Sequence, residues 1–366
     1  MRFILYGASG FTGQLLAEEA VRRGHRPLLA GRNAAKLEAV ATRLGLEWRA
    51  VSLDDAEGLR RLVQGAGAVL NAAGPFSATF EPMVEACLDV GTSYLDISGE
   101  LQSFEQLFTR DARAKRRGIA LIAGVGFDVV PSDCLAAQVA QRVPGADTLL
   151  IALSVTSGAA QPSPGSLKAL FEVVSNGGRV RRDGRLVPLA LGRGSTRVPW
   201  PYGMGWCIPM PIADLASAFR ATGIPNITVC FGVPASSGLA ARWLWPLGAV
   251  VRLALRCALK QPAIKRQLHR WIDARVQGAA EPLRANNRAY IYARASASDG
   301  RFAERWLSTE DGYSLTAQSG VLAVEHVLAD RPVGALTPAQ AFGVDYAFRL
   351  QGVSPDPTAT RSQAPG

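Results

Sequence analysis

The chain has 366 residues, more than one ordinary domain holds, so two domains are expected. Hydrophobic residues make up 48% and glycine occupies 37 positions, a balance that excludes a disordered chain and suits a globular α/β protein. The net charge of +10 is concentrated between Leu239 and Arg275, where eight Arg/Lys residues stand against one acid, Asp273. No basic–polar interleaving or nucleic-acid module accompanies it, so nucleic acid is not an expected partner.

The chain opens on the apolar run Phe3-Ile4-Leu5-Tyr6, read as a strand, followed by Gly7-Ala8-Ser9-Gly10-Phe11-Thr12-Gly13 and a helical pattern over 12–23. A glycine-rich turn between a strand and a helix is the phosphate-binding device of dinucleotide folds. The first glycine allows the tight turn, the second lets the backbone approach the pyrophosphate, and the third lets helix and strand pack closely. The second strand, 27–30, ends in Gly31-Arg32-Asn33 with Lys36 one turn further on and no acid beside it. A carboxylate at that point would hold the ribose 2′-OH of NAD, whereas a guanidinium accommodates the 2′-phosphate of NADP. NADP(H) is therefore the expected cofactor, and no metal site is expected.

The alternation continues with strands over 47–51, 68–72, 93–97 and 119–122 and helices over 34–44, 55–64, 80–90 and 101–117. Alternating β and α predict a Rossmann-type, doubly wound parallel sheet of six strands over 1–133. Three glycine- or proline-bearing segments follow its strand ends: Asn71-Ala72-Ala73-Gly74-Pro75, Asp96-Ile97-Ser98-Gly99-Glu100 and the run from Gly124 to Asp133. Ligands of open parallel sheets bind outside those ends. The candidate cofactor-binding residues are thus Gly7, Ser9, Gly10, Phe11, Thr12, Gly13, Arg32, Asn33, Lys36, Asn71, Ala72, Ala73, Gly74 and Pro75.

Beyond Pro131 the rhythm changes to a mixed α+β pattern, expected to form a substrate or dimerisation domain over 134–330. It begins with a helix over 132–141 and a strand over 148–156, with a further helix over 166–175. A hairpin turns at Asp183-Gly184, and strands follow near 226–231, 288–295 and 301–308. The segment 331–352 reads as a return toward the first domain, as does a helix over 316–328, and the Pro/Thr/Ser-rich tail 353–366 reads as disordered. Cys87, Cys134, Cys207, Cys230 and Cys257 are scattered singly, the pattern of small buried residues in a reducing compartment. The N-terminal apolar run is too short for a signal-peptide core, and a cytoplasmic protein without a transmembrane span is expected.

The set GASGFTG, LAGRN, NAAGPF, YLDISGE and GFDVVPSD, in order over residues 3–133, resembles the saccharopine dehydrogenase-like oxidoreductases. Within them it is similar to the bacterial trans-acting enoyl reductases. Fainter likeness continues in Asp214-Leu215-Ala216, in 222–226, in Gly312-Tyr313-Ser314-Leu315-Thr316, at Gly334 and in Thr337-Pro338, while 236–280 carries no recognisable motif. The resemblance implies NADP(H) in the first domain and leaves the substrate open.

The catalytic group is not evident. A short-chain dehydrogenase needs a lysine four residues after a tyrosine, and none of the five lysines, Lys36, Lys115, Lys168, Lys260 and Lys265, stands so. Acid candidates on the rim are Ser98, Glu100 and Asp128, with Ser132 and Asp133 behind them; Glu100 and Asp133 also suit helix termini. Tyr202, in the loop Trp200-Pro201-Tyr202-Gly203-Met204-Gly205-Trp206, is a candidate from the second domain. His25, His269 and His326 fall in helical patterns and are poor candidates.

The leading expectation is an NADP(H)-dependent reductase of a C=C bond in an apolar acyl or lipid-like substrate. One alternative is a C=N reductase using Arg179, Arg181, Arg182 or Arg185 for substrate carboxylates. Another is a non-catalytic, lipid-associated Rossmann protein. The basic stretch 239–276 reads as amphipathic helices that lie on an anionic membrane, or else bury their apolar faces in the fold or in a homodimer.

Overall fold

The computed structural model describes residues 3–156, 167–168, 171, 178–190, 193–233, 261–276, 288–355 and 361–363. Most of the helix expected over 166–175, the residue Cys257 and the stretch 239–260 lie outside these residues.

The chain forms two compact units, 1–134 with 312–353, and 135–311 with 354–366. In the first, strands β1 (Phe3–Tyr6), β2 (Leu28–Gly31), β3 (Trp48–Ala50), β4 (Ala68–Asn71), β5 (Ser93–Asp96) and β6 (Ala120–Ile122) alternate with helices α1 (Phe11–Arg22), α2 (Ala34–Leu44), α3 (Ala56–Val63), α4 (Phe76–Val90), α5 (Leu101–Thr109) and α6 (Asp111–Arg117). Every strand pairing is parallel, and β1, β2 and β4 are buried along their whole length, as helices on both faces require. The helix expected over 101–117 is two helices that meet at Arg110, and α4 begins at Phe76, four residues before the expected start.

The sheet has seven strands, one more than expected. After helix α7 (Val130–Arg142), which carries the boundary between units, the chain builds the second unit and then returns. The returning elements are helix α10 (Gly312–Asp330), strand β15 (Gly334–Leu336) and helix α11 (Pro338–Phe342). β15 adds in parallel to the free edge of β6, where the Asp111 carboxylate also accepts from Ala335 N at 2.9 Å. No local pattern in three residues announces such a strand; an open edge recruits it. The return therefore starts at 312, and the helix 312–330 is a part of the first unit.

The second unit is a ten-stranded mixed sheet. β7 (Thr148–Thr156) pairs in parallel with β12 (Asn226–Val233) and antiparallel with β13 (Arg288–Ser296), which pairs with β14 (Phe302–Thr309). The hairpin β8 (Gly178–Arg182) and β9 (Arg185–Leu189) turns at Asp183-Gly184, both at positive φ as a two-residue turn demands. Helix α8 (Asp214–Thr222) precedes β12, and helix α9 (Pro262–Arg275) precedes β13. The stretch expected as a loop around Tyr202 is instead the hairpin β10 (Thr196–Trp200) and β11 (Gly203–Pro209), with Pro201 and Tyr202 as its turn. Val198, Trp200, Cys207, Cys230, Tyr292 and Trp306 form the core on that side of the sheet. The tail is not featureless: β16 (Val353–Pro355) and β17 (Arg361–Gln363) both pair with β14, satisfying an edge that would otherwise be open.

The candidate dinucleotide site

β1 ends under a turn that only glycine can make. Gly7 has φ +84, and a Cβ there would lie 2.6 Å from Ala73 N; a Cβ on Gly13 would lie 2.2 Å from Gly7 O. Gly10 differs, because a Cβ on it would meet only Gly7 O, at 3.3 Å. Gly7 N donates to Ala30 O at 2.8 Å and Gly10 N to Gly7 O at 3.0 Å, which holds the turn over the ends of β1 and β2. Gly10 is the N-cap of α1 and no side chain caps that terminus, the arrangement that receives an anion. Ser9 and Thr12 are half-buried beside it.

At the end of β2, Arg32 and Lys36 are exposed, and among the described residues their side chains hold no hydrogen bond or ion pair. Asn33 caps α2 through Oδ1, which accepts from Lys36 N at 3.0 Å. Beneath Arg32, Tyr6 donates its hydroxyl to Val51 O at 2.9 Å. Burial pushes that phenol up to about 12, with the nearby Arg32 pulling it down and Asp54 raising it. A glycine cradle followed by two uncommitted cations fits a dinucleotide that bears a 2′-phosphate.

The loop after β4 is fixed from below. Asn71 is fully buried; its Oδ1 accepts from Ala73 N at 3.0 Å, and its Nδ2 donates to Tyr94 Oη at 3.3 Å and Thr79 Oγ1 at 3.4 Å. Tyr94 in turn donates to Asp96 Oδ2 at 2.8 Å, while Asp96 Oδ1 accepts from Ser98 N at 2.9 Å and Gly124 N at 3.0 Å. Burial pushes the Asp96 carboxyl up to about 6 against those three donors. Asn71 thus shapes the segment Ala72-Ala73-Gly74-Pro75 from inside the protein, and Asp96 ties the ends of β5 and β6 together. The local bonds to Ala73 and Ser98 are ordinary turn chemistry. The links Asn71–Tyr94 and Asp96–Gly124 join neighbouring strand ends distant in sequence and are not legible without the fold.

The acid candidates separate clearly. Glu100 accepts from Phe76 N at 2.8 Å and Ser77 N at 2.7 Å, capping α4 from a neighbouring loop. Ser98 is fully buried, with Oγ accepting from Glu100 N at 3.0 Å. Ser132 donates to Val129 O, and Asp133 Oδ2 accepts from Ala339 N at 2.8 Å. Asp128 is different. The residue is exposed, yet its carboxyl end packs against Gly99, holds no hydrogen bond or ion pair among the described residues, and is pushed up to about 6 by burial.

In the second unit Tyr202 is 52% exposed, shares a 2.6 Å hydrogen bond with Ser154 and stacks on Trp200. Burial raises its phenol, while the bond to Ser154 lowers it. Met204 and Trp206 are exposed on the same hairpin. Of the four arginines considered for carboxylates, Arg181 is buried, donating to Leu215 O and Gly184 O at 2.8 Å and lying over the Phe219 ring. Arg179, Arg182 and Arg185 are exposed, with Arg182 donating to Thr228 Oγ1 at 3.2 Å. His25 pairs with Glu325 and His326 with Asp330, outside the rim. Among the described residues no group of His, Cys, Asp and Glu is arranged to hold a metal. Cys87, Cys134, Cys207 and Cys230 are buried thiols, all pushed up by burial.

The sheet order and the turn define a Rossmann-type dinucleotide-binding domain. Residues 3–122 match the saccharopine dehydrogenase NADP binding domain family, and NADP(H) is the cofactor of that domain. A saccharopine dehydrogenase-like oxidoreductase of Bos taurus is 34% identical over 150 residues, 36% of this chain and 35% of the relative. A trans-acting enoyl reductase of Mycobacterium bovis is 35% identical over 152 residues, 38% of this chain and 35% of the relative. The chain thus spans about a third of the length of these two relatives. The fold is that of the saccharopine dehydrogenase (L-Glu forming) of Saccharomyces cerevisiae, with a TM-score of 0.63 at 13% identity over 99% of this chain and 100% of that one.

Proposed function

We infer that the protein is an NADP(H)-dependent reductase acting on a C=C bond of an apolar acyl or lipid-like substrate, with Asp128 as the proton donor. The observation that carries the choice of substrate is the second unit's surface. Tyr202, Met204 and Trp206 stand exposed on one hairpin, whereas Arg181, one of the four arginines considered for a substrate carboxylate, is buried and bonded within the protein. The name of the mycobacterial relative supports the same reading.

NADPH supplies a hydride when bound. This chain's part is to hold the pyrophosphate at the Gly7–Gly13 turn and the 2′-phosphate at Arg32 and Lys36, and to deliver a proton to the alkene carbon that does not take the hydride. Asp128 suits that task because a carboxyl held near 6 keeps an appreciable acid fraction close to neutrality, unlike an ordinary aspartate. Oxidation of NADPH across enones, enoyl thioesters and imines tests the proposal. The enone or enoyl arm should turn over, and its rate should fall as pH rises through about 6, as a general acid loses its proton. Asp128→Asn should lower kcat about a hundredfold without changing NADPH affinity. Turnover confined to imines, or an unchanged Asp128→Asn enzyme, would overturn the proposal.

A further inference from the structure

Helix α10 lies parallel to α1 along its length. At the far end Glu325 receives both Arg23 nitrogens, Nε at 2.8 Å and Nη2 at 2.5 Å, and in the middle a Cβ on Gly320 would lie 2.8 Å from Leu16 Cδ2. At the near end the Tyr313 ring meets the Phe11 ring edge-on, centroids 5.1 Å apart and planes at 83°. Phe11 is the first residue of α1, directly after Gly10. The same first turn of α10 is fastened to the loop after β6: Thr316 Oγ1 accepts from Phe127 N at 3.0 Å, and Gly312 packs so closely that its Cβ would lie 2.9 Å from the Phe127 ring. A segment about 300 residues downstream therefore braces both the phosphate turn and the loop that carries Asp128.

Resting on the dinucleotide site described above, we propose that Tyr313 is a positioning residue for NADP(H). Its ring holds Phe11, and with it the first turn of α1, in the orientation that receives the pyrophosphate. An aromatic edge-to-face pair is strong enough to matter and local enough to be removed without unfolding a helix anchored elsewhere by Glu325 and Gly320. The pyrophosphate is common to both nicotinamide dinucleotides. Tyr313 thus governs how tightly either one binds and leaves the choice between them to Arg32.

Dissociation constants for NADPH and NADH, read by fluorescence on the full chain, test this. Tyr313→Ala should weaken both cofactors by the same factor, about three- to tenfold, with the NADPH preference unchanged. Tyr313→Leu, which fills most of the space without a ring, should do likewise, while Tyr313→Phe should bind as wild type. Phe11→Ala combined with Tyr313→Ala should be no weaker than the worse single variant, the sign of a shared interaction. Wild-type affinity in both the Ala and Leu variants, a loss in Tyr313→Phe equal to that in Tyr313→Ala, or additive losses in the double variant would each overturn the proposal. Failure of every acceptor to oxidise bound NADPH would sink the reductase reading and leave this comparison of affinities intact.

Discussion

Two kinds of charged residue meet on the rim of the parallel sheet, and their surroundings assign them different work. Asp96 is fully buried and accepts three hydrogen bonds, so its raised carboxyl belongs to a structural joint between strand ends. Arg32 is exposed and uncommitted, so its charge is available to a ligand. A charge-assisted hydrogen bond contributes about 1.5–3 kcal/mol. Arg32→Ala should therefore weaken NADPH binding about ten- to a hundredfold and spare NADH. Parallel titrations of both cofactors check it, and equal losses would place the 2′-phosphate elsewhere.

At the scale of the element, the three glycines of the first turn carry unequal constraints. Gly13 sits where α1 presses on the backbone of the turn, so a methyl group there collides with Gly7 O within the protein itself. Gly13→Ala should cost about 1–3 kcal/mol of stability, seen as a lower Tm without any ligand. A Cβ on Gly10 would meet only Gly7 O, at 3.3 Å, a tight but single contact, so Gly10→Val should lose less Tm than Gly13→Ala and yet fail to bind NADPH. A Gly10→Val protein with normal affinity would show that the pyrophosphate does not approach that backbone. The start of α4 makes a related point. Its N-terminus is capped by Glu100, which is remote in sequence, so a local search for a capping residue misplaces the boundary by four positions.

For the whole molecule, the second unit carries exposed apolar side chains on a helix that also bears cations. On α9, Ile264 and Trp271 are 45% and 55% exposed and stand seven residues apart, on one face of the helix, while Ile272 is buried. Arg275 is exposed near that face, and Arg266 and Arg270 are exposed on other sides of the same helix. No helix among the described residues is long and apolar enough to cross a membrane. An exposed Trp on a helix that also carries exposed cations can meet an anionic surface, where each cation contributes about 1 kcal/mol. The chain is expected to sediment with anionic vesicles at low salt, to be released at high salt and to ignore neutral vesicles. Trp271→Ala with Arg270→Glu should abolish the association; absence from anionic vesicles at low salt would mean that this face serves another contact.

The sequence by itself determined the first domain and its cofactor. Strand period, glycine spacing and the cation at the end of β2 are local signals, and each depends on residues within one βαβ unit. The strand 148–156 and the turn at Asp183-Gly184 were legible for the same reason. What needed the tertiary structure were partnerships between distant segments. β15 and the tail strands β16 and β17 exist because sheet edges recruit them, and β10 and β11 pair around a core that their Pro- and Gly-rich sequence does not advertise. The candidate acids Ser98, Glu100, Asp128 and Tyr202 could be ranked only once their hydrogen bonds were known. Tyr313, inside a recognised motif, had no visible role until α10 was seen beside α1. Periodicity reports which face of an element is buried; only the packed chain reports against what.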